Sequence, residues 1–351
     1  MKTYYIGADV HKQTTTLAVR HKKEIIKVVT VKTEIDPIVE FLGTYKGRKL
    51  LTFEETSLSA WLYAHLHDKV DTLTVCDPRR NKLISDGGNK SDRVDARALA
   101  ELLENNSVQE IHHTDNKMHI NLKQWLALYH DRVQNKVRQH HKITAQALKQ
   151  GAKVPAVIIS NRKKRTEWLN DQSNETLTEQ LQILFNSYDQ ATAEVTQIRT
   201  RIDTLSQSFP IITKWQKLAG IGLIRAASFY AYIETPWRFK SKSKLAKYCG
   251  LGLECSQSGS DKNGRPKPAR LRMPLRCNRV LKNALLGAAQ SIVQARDNVF
   301  KHEYERMVFN GVTSKNALHA IARKLLFVMW GMWKNNRSFD PKLWQIQHQI
   351  D

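Results

Sequence analysis

The chain has 351 residues, 41% of them apolar, with 56 Lys+Arg against 33 Asp+Glu and a formal charge of +23. That length calls for two or three packed cores, and the apolar share excludes a disordered chain. No apolar run approaches the ~18–20 residues of a membrane span, and Met1-Lys2-Thr3-Tyr4 leads into a strand-like run with no signal-peptide pattern. Membrane, secreted and fibrous classes are therefore excluded. The four cysteines, Cys76, Cys249, Cys255 and Cys277, lack CxxC spacing and read as reduced thiols of a cytoplasmic protein.

From Tyr4 to about Glu104 strands and helices alternate. Tyr4–Val10, Thr15–Arg20 and Glu24–Val31 are β-branched-rich and predict three consecutive strands. A helix over Ile35–Tyr45, a strand over Lys49–Glu54, a helix over Leu58–Leu66 and a strand over Thr72–Asp77 follow. Asp92–Leu103 predicts a helix with Val94, Ala98, Leu99 and Leu102 on its apolar side. This is the element order of an RNase H-like α/β fold.

The middle is helical. Leu181, Leu184, Tyr188, Ala191, Val195, Ile198, Ile202 and Leu205 alternate at three and four residues, the seam of a coiled coil, and Leu122, Leu126, Tyr129, Val133 and Val137 form a similar stripe. Spacing alone does not choose between a hairpin inside one chain and a seam between subunits. Gly151–Pro155 and Asn161–Arg165 read as connection, with Arg162-Lys163-Lys164-Arg165 solvated or touching phosphate.

Beyond Phe209 the chain is helical and basic. Residues 1–110 carry 17 Lys+Arg and 16 Asp+Glu, whereas residues 206–282 carry 16 and 3, and residues 111–351 have a net charge of +22. A local excess interleaved with Trp215, Trp237, Phe239 and Tyr248 suits a polyanion whose bases stack on aromatic rings. Leu218-Ala219-Gly220-Ile221-Gly222 fits either a helix-hairpin-helix turn, whose glycines admit a phosphate to backbone N–H groups, or an ordinary inter-helix turn. Residues 254–274 read as a loop, and Val280–Gln294 and Ala317–Trp333 as closing helices.

Five carboxylates stand out. Asp9 ends the first strand inside an apolar run, where desolvation is costly unless a partner or cation compensates. Glu54 and Glu55 end the fourth strand, and Asp92 and Asp95 share one face at a helix start, where they also serve as capping candidates. Together, on this element order, they suit hard divalent cations, and two metals ~3.5–4 Å apart would support phosphodiester chemistry. The thirteen histidines, including the adjacent pairs His112-His113 and His140-His141, are expected to form no metal constellation and read as solvated or RNA-facing.

Ile6-Gly7-Ala8-Asp9-Val10-His11-Lys12, Glu54-Glu55-Thr56 and Lys90-Ser91-Asp92-Arg93-Val94-Asp95-Ala96 resemble the DEDD-type insertion-sequence transposases related to the gene-inverting recombinase Piv. Gly250-Leu251, Gln257-Ser258-Gly259, Gly264-Arg265, Arg276-Cys277-Asn278-Arg279-Val280-Leu281 and Ala322-Arg323-Lys324-Leu325-Leu326 extend the resemblance through the C-terminal half. It implies a RuvC-like domain over 1–110, a helical coiled-coil segment over 111–207 and a basic, mainly helical transposase domain over 208–351. Asp9, Glu54, Asp92 and Asp95 would bind Mg2+ (or Mn2+), and Ser258 would be the nucleophile. Glu54 is preferred to Glu55 because the family reads Glu-x-Thr-Gly. Ser57 and Cys277 stand where the family usually has glycine, and Pro266 where it has an aliphatic residue, so local turn geometry is expected to differ.

The resemblance further implies a homo-oligomer, dimer or tetramer, that acts on donor and target DNA under the guidance of a structured bridge RNA. Lys262, Arg265, Lys267, Arg270 and Arg272 follow Ser258 closely and suit phosphate binding. Spacing alone does not separate Ser258 from Ser256 and Ser260. The competing expectation is a metal-dependent nuclease or junction resolvase in which water attacks; a silent nucleic-acid-binding protein is a third.

Overall fold

The computed structural model describes residues 1–78, 91–256 and 270–342, and its backbone contacts divide the chain into two units, Met1–Ile120 and Asn121–Asp351.

In the first unit the β-branched N-terminal runs form strands β1 (Thr3–Val10), β2 (Thr14–His21) and β3 (Glu24–Lys32), paired antiparallel in sequence. Helix α1 (Ile35–Gly43) returns the chain so that β4 (Arg48–Glu54) lies parallel to β1, and α2 (Ser59–Leu66) leads to β5 (Thr72–Cys76), parallel to β4. Helix α3 (Asp92–Glu104) precedes a two-residue strand β6 (Glu110–Ile111), unforeseen because so short a run has no periodicity, which completes the order β3-β2-β1-β4-β5-β6. The unit is a mixed α/β sheet.

Strand alternation gives the sheet two different faces. Ile6, Ala8, Leu51 and Phe53 pack with Ile38 and Leu42 of α1 and Leu62 and Leu66 of α2 in one apolar core. The opposite face receives α3 at very short range. A Cβ on Gly7 would sit 2.3 Å from the Ala96 carbonyl oxygen and 2.4 Å from the Ala100 nitrogen. Ala18, Ala96 and Ala100 make up the small-residue contact there. The helix thus buries Ala96, Leu99 and Ala100, and Val94, expected on the apolar side, is 43% exposed. Close backbone approach selects the alanine side of the helix over its bulkier one.

In the second unit the long helices α4 (Lys117–Lys149) and α7 (Glu175–Ser206) run antiparallel, joined through α5 (Ala156–Ser160) and α6 (Arg162–Asn170). Arg132 meets Glu194 at 3.5 Å, Lys136 lies over the Tyr188 ring, and Gln146 donates to Gln180 at 2.6 Å. The stripes that the spacing predicts therefore meet inside one chain. Near one end Ile143 and Ala147 pack with Leu177, Leu181 and Phe185. Toward the other, Leu122, Leu126, Ile198 and Ile202 join the core of the C-terminal helices α8 (Pro210–Gln216), α9 (Leu223–Ile233), α10 (Lys242–Tyr248), α11 (Arg279–Gln294), α12 (Val299–Phe309) and α13 (Ser314–Lys334). The hairpin and these helices share that core.

The Asn161–Arg165 run is no connection: Asn161 Oδ1 caps α6 by accepting the Lys164 N–H, and the basic residues form its first turn. Arg162 and Arg165 pair with Asp189 at 2.7 and 3.0 Å; Arg165 is buried against Phe185, whereas Arg162, Lys163 and Lys164 are exposed. Within 254–274, read as a loop, short strands β7 (Glu254–Ser256) and β8 (Arg270–Arg272) pair antiparallel. Ile198→Asp should lower the thermal midpoint, at a cost of about 3 kcal/mol or more, with the elution volume on gel filtration unchanged. A smaller particle with an unaltered midpoint would place the seam between subunits.

Candidate metal-binding active site

The site grows from the register of β1 against β4. Gly7 pairs with Thr52 and Ala8 with Phe53, so the next step sets Asp9 beside Glu54, both on the face that receives α3. Glu55 lies one residue past the strand end and is exposed, its N–H donating to the Cys76 carbonyl at 2.9 Å. Where the sequence leaves both glutamates open, the register favours Glu54.

The second half of the site comes with α3. Ser91 Oγ accepts the Val94 N–H, so the cap is made by Ser91, and Asp92 and Asp95 are not needed as caps. The tight Gly7 contact holds this helix start over the C-terminal end of β1. His11 Nε2 donates to Asp9 Oδ2 at 3.1 Å and lies 3.4 Å from Asp92 Oδ1. Burial, opposed by His11 and reinforced by the negative charges of Asp92 and Asp95, raises the Asp9 carboxyl above its ordinary range. Asp9 is thus the group on which the other three act, and oxygen and nitrogen atoms of Asp9, His11 and Asp92 lie close enough to share one cation.

His11 is the site residue that sequence reasoning missed. Its signal is the Asp9-x-His11 spacing, which at a strand end puts both side chains on one face.

Two parts of the chain match known families. Residues 6–152 match a DEDD transposase domain of the IS110 type, and residues 214–305 match the transposase IS116/IS110/IS902 family. Over these two stretches the chain is similar to transposases of the IS110/IS116 type. It is also similar to the uncharacterized 44.8 kDa protein of insertion element IS116 from Streptomyces clavuligerus, with 23% identity over 206 residues, 59% of this chain and 47% of that protein. The chain thus spans about half the length of the curated relative it matches.

A DEDD transposase domain implies a divalent metal, and the donor set fits one. Asp9 and Asp92 offer carboxylate oxygens on either side of the point where His11 Nε2 stands, Asp9 is half-buried, and hard cations take oxygen ligands. The Ser258 expectation and those for Lys262, Arg265 and Lys267 lie outside the described residues. Arg270 is opposite Ser256 in the β7–β8 pair, and Arg272 is exposed.

The aromatic expectation needs correction. Trp215 is fully buried, donating Nε1–H to the Met329 carbonyl, and Phe239 and Tyr248 pack against each other with the Arg238 guanidinium over both rings. Trp237 alone of the four is open, 70% exposed, with the Lys334 ammonium 5.0 Å from its ring. Gly220, at φ +77°, packs against the Ala288 carbonyl, so its positive φ and the close helix packing account for the glycine.

Asp9 generates a stability prediction. A raised carboxyl means that the folded state holds the proton more tightly than the unfolded chain, so the penalty develops as pH rises past the ordinary carboxylate range and is complete at neutral pH. Asp9→Asn should therefore raise the thermal midpoint by a few degrees in EDTA at pH 7.5. Millimolar Mg2+ should stabilise the parent chain and leave the variant unmoved. Scanning fluorimetry reads both effects, and a lower midpoint for Asp9→Asn in EDTA would contradict the electrostatic account.

Proposed function

We propose that this chain is an insertion-sequence transposase that cuts and rejoins DNA strands, with an RNase H-like, RuvC-like first unit holding Mg2+ or Mn2+ through Asp9, Glu54, Asp92 and Asp95. The observation that supports this reading most is the convergence of strand-end and helix-start carboxylates around His11. When bound, the metal supplies Lewis-acid stabilisation of charge at the scissile phosphate. Asp9, Asp92, Asp95 and Glu54 would hold it, and the His11 imidazole stands between Asp9 and Asp92.

In this proposal Ser258 is the nucleophile. Its Oγ forms a bond to phosphorus, the bond to the sugar oxygen breaks, and that oxygen takes up a proton. One ester replaces another, so attack by a strand hydroxyl reverses the step and rejoins DNA. The basic residues Lys262, Arg265, Lys267, Arg270 and Arg272 hold the phosphate. The substrates are donor and target DNA. A structured guide RNA is held by the cation-rich region beyond residue 110, and the chain works as a homo-oligomer. Among the described residues no helix is long and apolar enough to cross a membrane; a cytoplasmic, DNA-associated location is part of the proposal.

The competing reading is a metal-dependent nuclease with water as nucleophile. It is favoured by one observation: Asp9, His11 and Asp92, all of the first unit, bring ligand atoms close enough together for one cation.

A denaturing gel of the protein with cleaved DNA separates the two. Ser258→Ala should abolish the covalent protein–DNA adduct and strand exchange while binding persists, and Ser256→Ala and Ser260→Ala should retain both. Free cut ends from all three variants would establish the nuclease. Asp9→Ala and Asp92→Asn should each abolish cleavage in Mg2+, with DNA affinity within about twofold of the parent since the charge excess lies beyond residue 110. Sequencing the RNA that co-purifies with the protein tests guidance; a defined structured species is expected.

A further inference from the structure

Helices α11 and α13 pack along each other and leave a groove between them, an open cavity of about 270 Å³ lined by Leu286, Gly287 and Gln290 on one side and Lys315, Leu318 and His319 on the other. Its surroundings are cationic. Burial lowers the His319 imidazole below its ordinary range, and Lys282, Lys315 and Arg323 lower it further. Among the described residues, no ion pair forms to Lys282, Lys315 or Arg323.

Arg225 of α9 reaches the same wall. Its guanidinium donates to the Gly220 carbonyl at 2.6 Å and to Ser291 Oγ at 3.0 Å, again with no carboxylate partner among the described residues. A Cβ at residue 287 would lie 2.9 Å from Arg225 Nη2. Glycine in a helix interior is less favourable than alanine, and here it makes room for a guanidinium under the groove.

His319 lines the groove, and its Nδ1, shut off from solvent, has no hydrogen-bond partner among the described residues.

The groove is tied to the segment that leads to Ser258. Arg323 Nε donates to the Leu251 carbonyl at 2.8 Å, and a Cβ on Gly250 would lie 2.9 Å from the Lys282 stem and 2.6 Å from Cys277 Sγ. Gly250 and Leu251 run directly into β7. Cations without an ion-pair partner among the described residues, a donor amide at Gln290 and flanking apolar walls from Leu286 and Leu318 match a phosphate oxygen pair with its neighbouring sugar.

We propose that the groove between α11 and α13, with Arg225, Lys282, Gln290, Lys315, His319 and Arg323 around it, binds a backbone phosphate of the DNA strand being processed. The choice of DNA rests on the transposase reading, because the groove is anchored to the chain that carries Ser258.

The test uses the full chain with labelled duplex DNA and an RNA duplex of the same sequence, titrated from about 50 to 200 mM salt. Lys315→Ala combined with His319→Gln should weaken DNA binding about tenfold and reduce the log–log salt slope by about 1. Gln290→Ala should weaken binding without changing the slope. Lys149→Ala, an exposed cation at the far end of α4, is the control and should leave affinity within about twofold. Equal losses in the control and the double variant would overturn the proposal, as would a loss confined to RNA. Circular dichroism of the double variant must match the parent; if it does not, Lys315→Gln alone, at an exposed helix position, should still reduce the salt slope, and an unchanged slope would overturn the proposal. Ser258→Ala should bind like the parent, so failure of the nucleophile assignment and failure of the groove assignment give different results.

Discussion

The contact of α3 with Gly7 is the constraint on which the site depends. No side chain at residue 7 fits, since a Cβ would overlap the backbone of Ala96 and Ala100. The absence of that one atom lets a helix lie directly on β1, and the alanines at 18, 96 and 100 complete the close approach. Two residues along the strand is Asp9, and one turn before Ala96 is Asp92. The short helix–sheet distance is thus converted into a short distance between carboxylates. At the other end of α3, Glu104 accepts from Arg20 at 2.6 Å and from the Lys23 backbone N–H at 3.0 Å, which keeps the helix from tilting off the sheet.

That arrangement stores electrostatic tension. Asp9 is partly desolvated and faces Asp92 and Asp95, so its ionised form is disfavoured in the folded protein. His11 relieves part of the strain by hydrogen bonding to Asp9 and approaching Asp92. A divalent cation offers more charge at the same place and takes several oxygens at once. A set of groups that lowers folding stability without a cation is well matched to binding one, and that is why removal of a single charge is expected to stabilise the empty protein.

The second unit distributes its cations differently. Some are internal fasteners: Arg165 joins α6 to α7 through Asp189, and Lys324 donates to Glu303 at 2.6 Å between α13 and α12. Others, such as Lys282, Lys315, Arg225 and Arg323, have no such partner among the described residues. A net charge alone does not separate these two populations. Their separation depends on which side chains the packing brings beside a carboxylate, and the unpaired set clusters around α11 and α13.

Much of this protein is legible in its sequence because much of it is local. Strand runs rich in Val, Ile and Thr, the apolar spacing of α7 and the Ser91 start of α3 depend on neighbours a few residues away; β1, β2, β3 and α3 form within a residue of the predicted limits, and the predicted seam lies inside α7. The candidate carboxylates are equally visible, since an acidic residue at the end of an apolar strand stands out. What the chain alone did not determine is every property set by partners distant in sequence. The face of α3 that packs is chosen by Gly7 rather than by the helix's own apolar pattern, which points to Val94. Glu54 rather than Glu55 shares the face of Asp9 because of the β1–β4 register. Trp215 is buried and Trp237 exposed although both are tryptophans among lysines, and the heptad seam closes within one chain because α5 and α6 turn it back. Local propensity acts over one turn or one strand, whereas burial, register and charge pairing are decided only when segments a hundred residues apart come into contact.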